Sequence, residues 1–405
     1  MVNASSSSTG LQFSPIPLPP SANPTYFKDF GRKVEGFDPA DIKDGQMDEI
    51  IDGLYKHSVL LFKGLKVTPE QQYFMTHAFD PEANTYGHGN NKTQNTKTSI
   101  LHPDLKTIPR QPQVQLIGNG KVPGHYEGLE SPQLRHPHHK TFHKNPVSPE
   151  DEAAGVTRFY RWHIDAALYN LSPPKVTSLY AVKVPQGPVQ ICRYDDGTGD
   201  ELPVPLGGTV FASGKNMFDV LPENLRSLAV RTKVQYAPHP YVWMSKAHAL
   251  PTGLGIENEG LELGLDELPE WEESKIKLYP VCWKNPVTSA LHLQVHPCGA
   301  KELHIEPLPA GSSKDNALYP NGAHLTDLSE VRELLYKIQR PGIAPELLYP
   351  QDWEEGDLVL FHNRGLLHSV VGAFTEDQLR MFHQCNLAAS DDPSGPDAKD
   401  VKQYA

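Results

Sequence analysis

Short apolar runs separated by turn residues constrain the fold of this chain more than any other feature. After residue 161 they are TSLYAVKV (177–184), TVFAS (209–213), YVWMS (241–245), ALHLQVHP (290–297), DLVLFH (357–362) and RMFHQCNLA (380–388). Runs of this length, bounded by Gly, Pro, Asn and Asp, are typical of buried strands. The sequence therefore predicts a mainly β fold. Its 38 prolines, roughly twice the usual share of ~5%, predict long loops around the strands.

Helices are expected only at the periphery of this β core. Apolar residues at helical spacing or capping residues mark four segments: 44–57, 68–79, 221–230 and 327–340. The remainder is interpreted as one domain over residues 26–390. A Ser- and Pro-rich arm (1–25) and a polar tail (391–405) are predicted to be disordered, and residues 95–160 are predicted to form a long irregular excursion.

Composition excludes several classes of function. The formal net charge of −12 argues against a nucleic-acid partner or an anionic membrane surface, since both require a basic face. No apolar run approaches the ~20 residues of a membrane span. The N-terminus lacks the basic and apolar regions of a signal peptide, and the four cysteines form no CxxC pair. A cytoplasmic protein with reduced thiols is expected.

The stretch RWHIDAALY (161–169) places an imidazole and a carboxylate two residues apart inside an apolar run. In an extended chain, His163 and Asp165 project to the same side, because side chains alternate with period two. One reading is that Asp165 merely orients a buried histidine. The other is that the pair provides two ligands of a metal site.

A third ligand is sought in residues 353–386, which combine a buried strand, His368 and Arg380. Two imidazoles and one carboxylate form the facial triad of non-haem Fe(II) oxygenases, which leaves three positions open. Two of these positions suit a bidentate 2-oxo acid, and the last suits dioxygen. The far carboxylate of such a co-substrate needs a cation, and the planar guanidinium of arginine bonds both of its oxygens.

These residues resemble the TauD/TfdA family of dioxygenases, which is described by His-x-Asp, a downstream Thr or Ser, a distal His and an Arg 10–13 residues beyond it. The pattern falls on His163, Asp165, Thr209, His368 and Arg380, with the 11 residues 369–379 between the last two. The departure is the 43-residue gap from Asp165 to Thr209, longer than the family's usual two dozen. The resemblance implies Fe(II), 2-oxoglutarate and a double-stranded β-helix, or jelly roll.

Within the family, SPEDEAAGVTRFYRWHIDAALYNLSPPKV together with HQCN most resembles the fungal branch that oxidises xanthine to uric acid. That resemblance implies a substrate site in which amides replace the second arginine of the sulfonate-oxidising members. The implied substrate residues are Gln113, Gln384, Asn386 and acids within Glu150, Asp151 and Glu152, with a basic residue at Arg135 or His136. Amides suit a neutral substrate that carries both hydrogen-bond donors and acceptors.

Two alternatives to xanthine oxidation remain open at this point. One is the same chemistry on a sulfonate, an aryloxyacetate or a specialised metabolite, and the other is a non-catalytic jelly-roll protein with a structural metal. Two segments that suggest metals are interpreted otherwise. The His-rich stretch 135–144 is expected to be a solvated loop, and YDDGTGDE (194–201) a turn, because its acids lack the spacing of a calcium loop. His362 and His383 are expected to pack near the site without ligating.

Overall fold

The computed structural model describes residues 10–87, 106–136, 138–375 and 377–405. The strands in these ranges are β1 Gln12–Pro15, β2 Arg32–Glu35, β3 Val59–Phe62, β4 Lys106–Thr107, β5 Val114–Lys121, β6 His125–Tyr126, β7 Leu129–Glu130, β8 Gln133–Leu134, β9 Val156–Thr157, β10 Val176–Lys183, β11 Gln190–Arg193, β12 Glu201–Val204, β13 Thr209–Ser213, β14 Thr232–Tyr236, β15 Leu278–Pro280, β16 Cys282–Lys284, β17 Leu291–Leu293, β18 Ala300–Ile305, β19 Ala323–Leu325, β20 Leu348–Gln351, β21 Leu358–His362, β22 Leu366–Val370 and β23 Arg380–Asn386. The α-helices are α1 Gln46–His57, α2 Pro69–His77, α3 Pro149–Ala153, α4 Gly214–Asp219, α5 Glu223–Val230, α6 Pro240–Trp243, α7 Leu328–Gln339 and α8 Ala398–Tyr404. The predicted mainly β fold with peripheral helices is confirmed.

The largest sheet has the strand order β1-β2-β3-β21-β10-β23-β5-β4, with β8 paired to β5. Its central strands β21, β10 and β23 are antiparallel and come from distant parts of the chain. Residues of β3 alternate between its two faces: Val59 and Leu61 pack on one side, and Leu60 and Phe62 on the other. Helices α1 and α2 cover the second side, and a smaller sheet covers the first.

That smaller sheet has the order β20-β13-β22 and faces the large sheet. Phe211 of β13 packs against Phe361 of β21, with ring centroids 5.2 Å apart. The neighbouring residues Val210 and Ala212 point the other way, into a core shared with α4, α5 and α7. The molecule is thus layered as helices, large sheet, small sheet and helices, and Thr209 and His368 lie on the inner face of the small sheet.

All four predicted helical segments are helical, and Thr68 caps α2 as expected, within a reciprocal capping box with Gln71. The strand predicted at 241–245 is wrong, because residues 240–243 form helix α6. Pro240 occupies the first turn of that helix, where its missing N–H costs nothing. A short apolar run bounded by turn residues does not distinguish a strand from a buried helical turn.

The predicted irregular excursion 95–160 contains regular structure in its described part. The eight-residue strand β5 pairs with β23 at the centre of the large sheet, and β4 and β8 pair with β5. Residues 95–105 lie outside the described residues. The sequence analysis did not predict β5 because the strand contains Gly and Asn residues, and both residue types are depleted in strands.

Both termini also differ from the predicted disorder. In the arm, residues 12–15 pair with β2 at the edge of the large sheet, while residues 1–9 lie outside the described residues. In the tail, Asp397 caps helix α8, and Tyr404 packs edge-on against Phe218 at 5.1 Å. The pairing of residues 12–15 and the packing of Tyr404 are long-range contacts, so the polar composition of the two segments gave no sign of them.

Helices long and apolar enough to cross a bilayer do not occur in the ranges that the structure covers. Cys192, Cys282, Cys298 and Cys385 are all buried and free. Burial raises the pKa of each of these thiols, so they remain protonated at neutral pH and are poor nucleophiles. The thiols therefore act as packing groups.

Candidate metal centre and substrate site

Three side chains converge between the two facing sheets. The Nε2 atoms of His163 and His368 lie 3.8 Å and 3.7 Å from Oδ1 of Asp165, and all three ligand atoms lie within 4.8 Å of one another. Metal bonds of about 2.1 Å to nitrogen and oxygen allow two ligands to stand up to about 4.2 Å apart. Both distances to Asp165 fall inside this limit, so the donor set and its spacing suit one divalent ion.

Backbone pairing fixes the two histidines relative to each other. His163 and His368 exchange N–H···O bonds of 3.0 Å in both directions, which attaches residue 163 to the edge of β22. The side-chain Nδ1 of His163 lies 2.9 Å from the carbonyl oxygen of Arg161. A protonated Nδ1 leaves the lone pair of Nε2 for a metal, and burial lowers the pKa of His163 well below its ordinary value, which keeps the ring neutral.

Asp165 is oriented by neighbours on the large sheet. Its Oδ2 accepts hydrogen bonds from the Thr177 hydroxyl at 2.7 Å and from the Gln384 amide at 3.2 Å. Asn363 holds the backbone of Asp165 through both its amide oxygen and its amide nitrogen. The carboxylate is therefore fixed with Oδ1 toward the two histidines, as a metal ligand requires.

The described residues contain two other clusters with ligand atoms at comparable spacing. Glu152 contacts His138 and His139, but Lys140 already pairs with it, so a cation competes for the same carboxylate. The other cluster, of Glu302, His304 and His324, lies at the surface, where Lys301 pairs with Glu302. In the cluster of His163, Asp165 and His368, the carboxylate and one imidazole are buried, and both imidazoles approach the same carboxylate oxygen.

The His-rich stretch 135–144 is not the solvated loop that the sequence predicted. His139 and His143 are buried, and the ring nitrogens of His143 lie 2.9 Å and 2.7 Å from the carbonyl oxygens of Leu250 and Phe159. These contacts join the stretch to the loop that follows α6. In contrast, the acids of YDDGTGDE form a turn as expected, and Asp196 and Asp200 pair with Arg340.

Arg380 is a buried cation without a protein anion. Its Nε donates to the carbonyl oxygen of Gly207 at 3.1 Å, and its guanidinium lies 3.9 Å above the ring of Phe382. No carboxylate of the described residues lies within ion-pair distance of it. Burial lowers the pKa of Arg380 to about 9. A bound carboxylate would compensate the buried charge, so the site fits the distal group of a dicarboxylic co-substrate.

Thr209 lies two residues beyond Gly207, at the start of β13. Its side chain is buried, and its hydroxyl oxygen accepts a hydrogen bond of 3.3 Å from the indole N–H of Trp353. The hydroxyl hydrogen stays available for another acceptor. The backbone thus brings Thr209 to the same end of the inner face as Arg380.

Gln384 and Asn386 lie on the same face of β23 as Arg380, because alternate residues of a strand share a face. Asn386 is fully buried, and neither its amide oxygen nor its amide nitrogen has a hydrogen-bond partner. Gln113 lies in the turn that directly precedes β5, and its side-chain oxygen accepts a hydrogen bond from the Gln111 amide at 2.6 Å. The structure therefore brings Gln384 and Asn386 to one face of β23, with Gln113 at the end of the neighbouring strand.

The predicted acids lie on helix α3, and the predicted basic residue lies beside the loop that precedes Arg380. Glu150 is exposed on α3, Asp151 pairs with Arg193 at 2.7 Å, and Glu152 faces the histidines and the lysine described above. Arg135 directly precedes His136, whose ring packs on Phe374 at 4.6 Å, in the loop before Arg380. Neither Glu150 nor Asp151 contacts the metal cluster.

His362 and His383 are buried beside the site, as expected, without joining the metal cluster. The ring of His362 packs edge-on against Tyr55 at 5.0 Å. His383 points to the opposite face of β23 from Gln384, and its Nε2 lies 2.8 Å from the hydroxyl of Tyr126. Both histidines therefore have packing roles.

Three polar side chains near the metal cluster were not expected from the sequence: Arg161, Tyr241 and His296. Each has at least one buried polar atom without a hydrogen-bond partner. The ring of His296 lies 6.3 Å from that of His163 and 5.4 Å from that of Tyr241. Of these three residues, only Arg161 could have been found from the sequence. It precedes His163 by two residues, so in an extended chain it projects to the same side as His163 and Asp165.

Comparisons with known proteins identify the family and agree with the fold. The sequence matches the family described as "Taurine catabolism dioxygenase TauD, TfdA family" over residues 17–386. The chain therefore belongs to this family of dioxygenases, and the resemblance predicted from the motif is confirmed.

Among its relatives are two fungal proteins named alpha-ketoglutarate-dependent xanthine dioxygenase. The one from Schizosaccharomyces pombe is 51% identical, over 98% of this chain and 93% of the relative. The one from Neurospora crassa is 53% identical, over 95% of this chain and 90% of the relative. Among solved structures, a taurine dioxygenase from Burkholderia xenovorans is similar in fold, with a TM-score of 0.52 and 17% identity over 96% of this chain and 92% of that one.

Proposed function

We propose that this protein is an Fe(II)- and 2-oxoglutarate-dependent dioxygenase that hydroxylates xanthine at C8, giving uric acid, succinate and CO2. The observation that carries the class is the cluster of His163, Asp165 and His368 together with Arg380, a buried cation on the same inner face that no carboxylate of the described residues pairs with. The substrate rests on two relatives, 51% and 53% identical, whose names specify xanthine, and on the unsatisfied amide of Asn386.

His163, Asp165 and His368 hold the iron, which supplies the activation of dioxygen and the oxidation of the C–H bond when it is bound. The protein contributes rigid positioning. Thr177 and Gln384 keep the carboxylate aimed at the two imidazoles, and the paired backbones of β22 and residue 163 keep the imidazoles facing each other. Such fixed geometry reduces the entropic cost of bringing the reactants together.

Arg380 and Thr209 hold the distal carboxylate of 2-oxoglutarate. Arg380 offers the terminal nitrogens of its guanidinium, since Gly207 accepts only from Nε. Thr209 donates its hydroxyl hydrogen, because Trp353 has already taken an acceptor position on the oxygen. Burial of this pair excludes water from the co-substrate and strengthens both contacts.

Xanthine binds against the open end of β23. Asn386 and Gln113 offer donors and acceptors that match the carbonyl and N–H groups of the purine ring. Gln384 has a second function, because its amide nitrogen also donates to Asp165 and thus couples the substrate face to the metal ligand. The family resemblance also implies Glu150 and Asp151 as substrate residues, and these would have to reach the substrate from helix α3.

The architecture and location that go with this function are also proposed here. The two facing sheets are interpreted as the double-stranded β-helix of the family, in one domain that contains residues 26–390 together with β1 and α8. The buried free thiols favour a reducing compartment, so we place the protein in the cytoplasm.

The test is an aerobic assay of the Fe(II)-reconstituted protein with 2-oxoglutarate and one candidate substrate at a time. We expect xanthine to stimulate succinate release with equimolar uric acid, while taurine and an aryloxyacetate do not. Stimulation by either of those two alone would retain the dioxygenase and reject xanthine. Full occupancy by zinc, with no succinate from any substrate after iron reconstitution, would instead favour a non-catalytic protein.

A further inference from the structure

The guanidinium of Arg161 lies next to the metal cluster and has no polar partner in the part of the chain that the structure describes. Its central carbon is 5.3 Å from the ring centroids of Phe142 and Tyr160 and 5.1 Å from that of Tyr241. Its Nε is buried and forms no hydrogen bond, and no acid in the described ranges lies within ion-pair distance of it. The backbone of Arg161 is held beside the metal cluster, since its carbonyl oxygen lies 2.9 Å from Nδ1 of His163.

Arg158, three residues earlier in the same segment, has the hydrogen-bond and ion-pair partners that Arg161 lacks among the described residues. Arg158 is buried and donates to the carbonyl oxygens of Asn145 and Arg193, and it pairs with Asp195 at 2.7 Å. Each nitrogen of the Arg158 guanidinium therefore has a partner. Arg161 has only the faces of three aromatic rings, which stabilise its charge but accept none of its hydrogen bonds in the plane of the guanidinium.

Two more unsatisfied groups lie on the path from Arg161 to the metal cluster. The hydroxyl of Tyr241 and both ring nitrogens of His296 are buried and form no hydrogen bond. The rings of Tyr241 and His296 are 5.4 Å apart, and that of His296 is 6.3 Å from His163. Buried polar groups are nearly always bonded, so three neighbouring exceptions beside a metal cluster indicate a ligand that completes them.

We propose that Arg161, supported by Tyr241 and His296, binds a carbonyl oxygen of xanthine and selects for oxidised purines, an inference that rests on the proposed function. Arginine only donates hydrogen bonds, so it recognises an exocyclic oxygen and rejects an amino group at the same position. The amide of Asn386 both donates and accepts and therefore serves the ring edge that carries N–H next to C=O. Arg161 thus determines substrate specificity, whereas Arg380 holds the co-substrate.

The experiment compares Arg161→Met and Arg161→Lys with the parent enzyme, and Arg32→Met serves as the matched control. Methionine keeps the aliphatic packing against the three rings and removes the charge, and Arg32 bonds only nearby backbone carbonyls at the sheet edge. We expect Arg161→Met to raise the KM for xanthine roughly ten- to hundredfold, as for a lost charged hydrogen bond, with Arg161→Lys intermediate. The KM for 2-oxoglutarate, the iron content and the control should stay within about twofold of the parent.

A specificity readout separates recognition from a packing role. The parent should prefer xanthine over hypoxanthine, which lacks the oxygen at C2. If Arg161 binds that oxygen, Arg161→Met should lose most of this preference. If Arg161 binds the oxygen that the two purines share, the variant should lose affinity for both to the same extent. Calorimetric titration of xanthine into the anaerobic Fe(II) and 2-oxoglutarate complex keeps the test valid for an inactive variant.

An unchanged KM and affinity for xanthine in Arg161→Met would overturn the inference while the proposed function stands. Equal losses of xanthine and 2-oxoglutarate binding would also overturn it, because they indicate a structural role. A parent enzyme that forms no uric acid would overturn the proposed function and, with it, the substrate assigned here.

Discussion

At the scale of single residues, Asp165 shows how the fold prepares a metal ligand. One carboxylate oxygen faces His163 and His368, and the other accepts hydrogen bonds from Thr177 and Gln384. The two sets of contacts come from the two facing sheets. Asp165 therefore joins the sheets at the point where the reaction is proposed to occur.

Replacement of Asp165 by alanine is expected to abolish turnover, because it removes the anionic ligand and leaves a weak two-histidine site. The measurements are iron content after reconstitution and the rate of uric acid formation. The surface variant Asp219→Ala, whose carboxylate pairs only with Lys215 one turn away, serves as the control and should behave like the parent. Near-normal uric acid formation by Asp165→Ala would contradict the assigned ligand set.

Arg380 permits a second prediction at this scale. Arg380→Ala should raise the 2-oxoglutarate concentration required for half-maximal rate about ten- to hundredfold, since charged hydrogen bonds contribute about 1.5–3 kcal/mol. The KM for xanthine should change much less. Initial rates with each substrate varied separately test this, and an unchanged 2-oxoglutarate dependence would mean that another cation holds the distal carboxylate.

The sequence could predict the metal ligands and Arg380, but it could not predict the contacts that hold them in place. His163, Asp165, His368 and Arg380 follow a spacing that is visible in one dimension. The bond from Gln384 to Asp165 joins residues 219 positions apart and depends on the pairing of β10 with β23. The missing partner of Arg161 was equally hidden, because the absence of an acid is a property of the folded surroundings.

At the scale of elements, strand β23 shows how alternation sorts functions. Arg380, Phe382, Gln384 and Asn386 occupy one face, so the groups proposed for co-substrate and substrate follow one another along the same strand. His383 occupies the opposite face and bonds Tyr126. A shift in register by one residue would exchange the two sets, and the paired strands β10 and β5 on either side prevent it.

The two amides on β23 should therefore respond differently to truncation. Asn386→Ala should raise the KM for xanthine by about ten- to hundredfold, equivalent to about 1–3 kcal/mol. The iron content and the 2-oxoglutarate dependence should not change, because the amide of Asn386 contacts neither the metal ligands nor Arg380. Gln384→Ala should in addition weaken iron retention, because it removes one of the two hydrogen bonds that orient Asp165. Steady-state kinetics and metal analysis of both variants test the distinction. Identical behaviour of the two variants would contradict it.

Element prediction failed where local signals were ambiguous or overridden. Helix α6 was mistaken for a strand because four apolar residues cannot reveal a period. Strand β5 was missed because its glycines and asparagine disfavour a strand locally, and its pairing with β23 supplies the stabilisation that its composition lacks. The helices α1, α2, α5 and α7 were found because their apolar spacing and caps are local properties.

At the scale of the whole molecule, the C-terminal segment closes the fold. The backbone N–H and the hydroxyl of Ser390 both donate to Asp80, each at 2.8 Å. Asp392 accepts hydrogen bonds from Ser172 at 2.6 Å, Tyr279 at 2.7 Å and Lys277 at 3.2 Å. These partners come from three parts of the chain, around Asp80, Ser172 and residues 277–279, so the segment links all three.

Asp392 makes this closure dependent on pH. Its partners outweigh the effect of burial and hold its pKa below the ordinary value, because Ser172, Tyr279 and Lys277 all stabilise the carboxylate. A carboxyl group whose pKa is lower in the folded state binds more protons when unfolded. Its stabilising effect is therefore complete above the ordinary pKa near 4 and is lost as the pH falls through the folded-state value.

Asp392→Asn should consequently lower the urea midpoint at pH 7 and reduce the loss of stability between pH 5 and 2. Because Asp392 is partly exposed, the expected destabilisation at pH 7 is only about 1 kcal/mol. Asp391→Asn is the matched control, since it removes the same charge one residue away, where the partners are Arg364 at 3.0 Å and Lys175 at 3.5 Å. Urea unfolding of the three proteins at several pH values provides the measurement. An acid dependence for Asp392→Asn that equals the parent's would show that the closure is held by Asp80 and the cap of α8 instead of by Asp392.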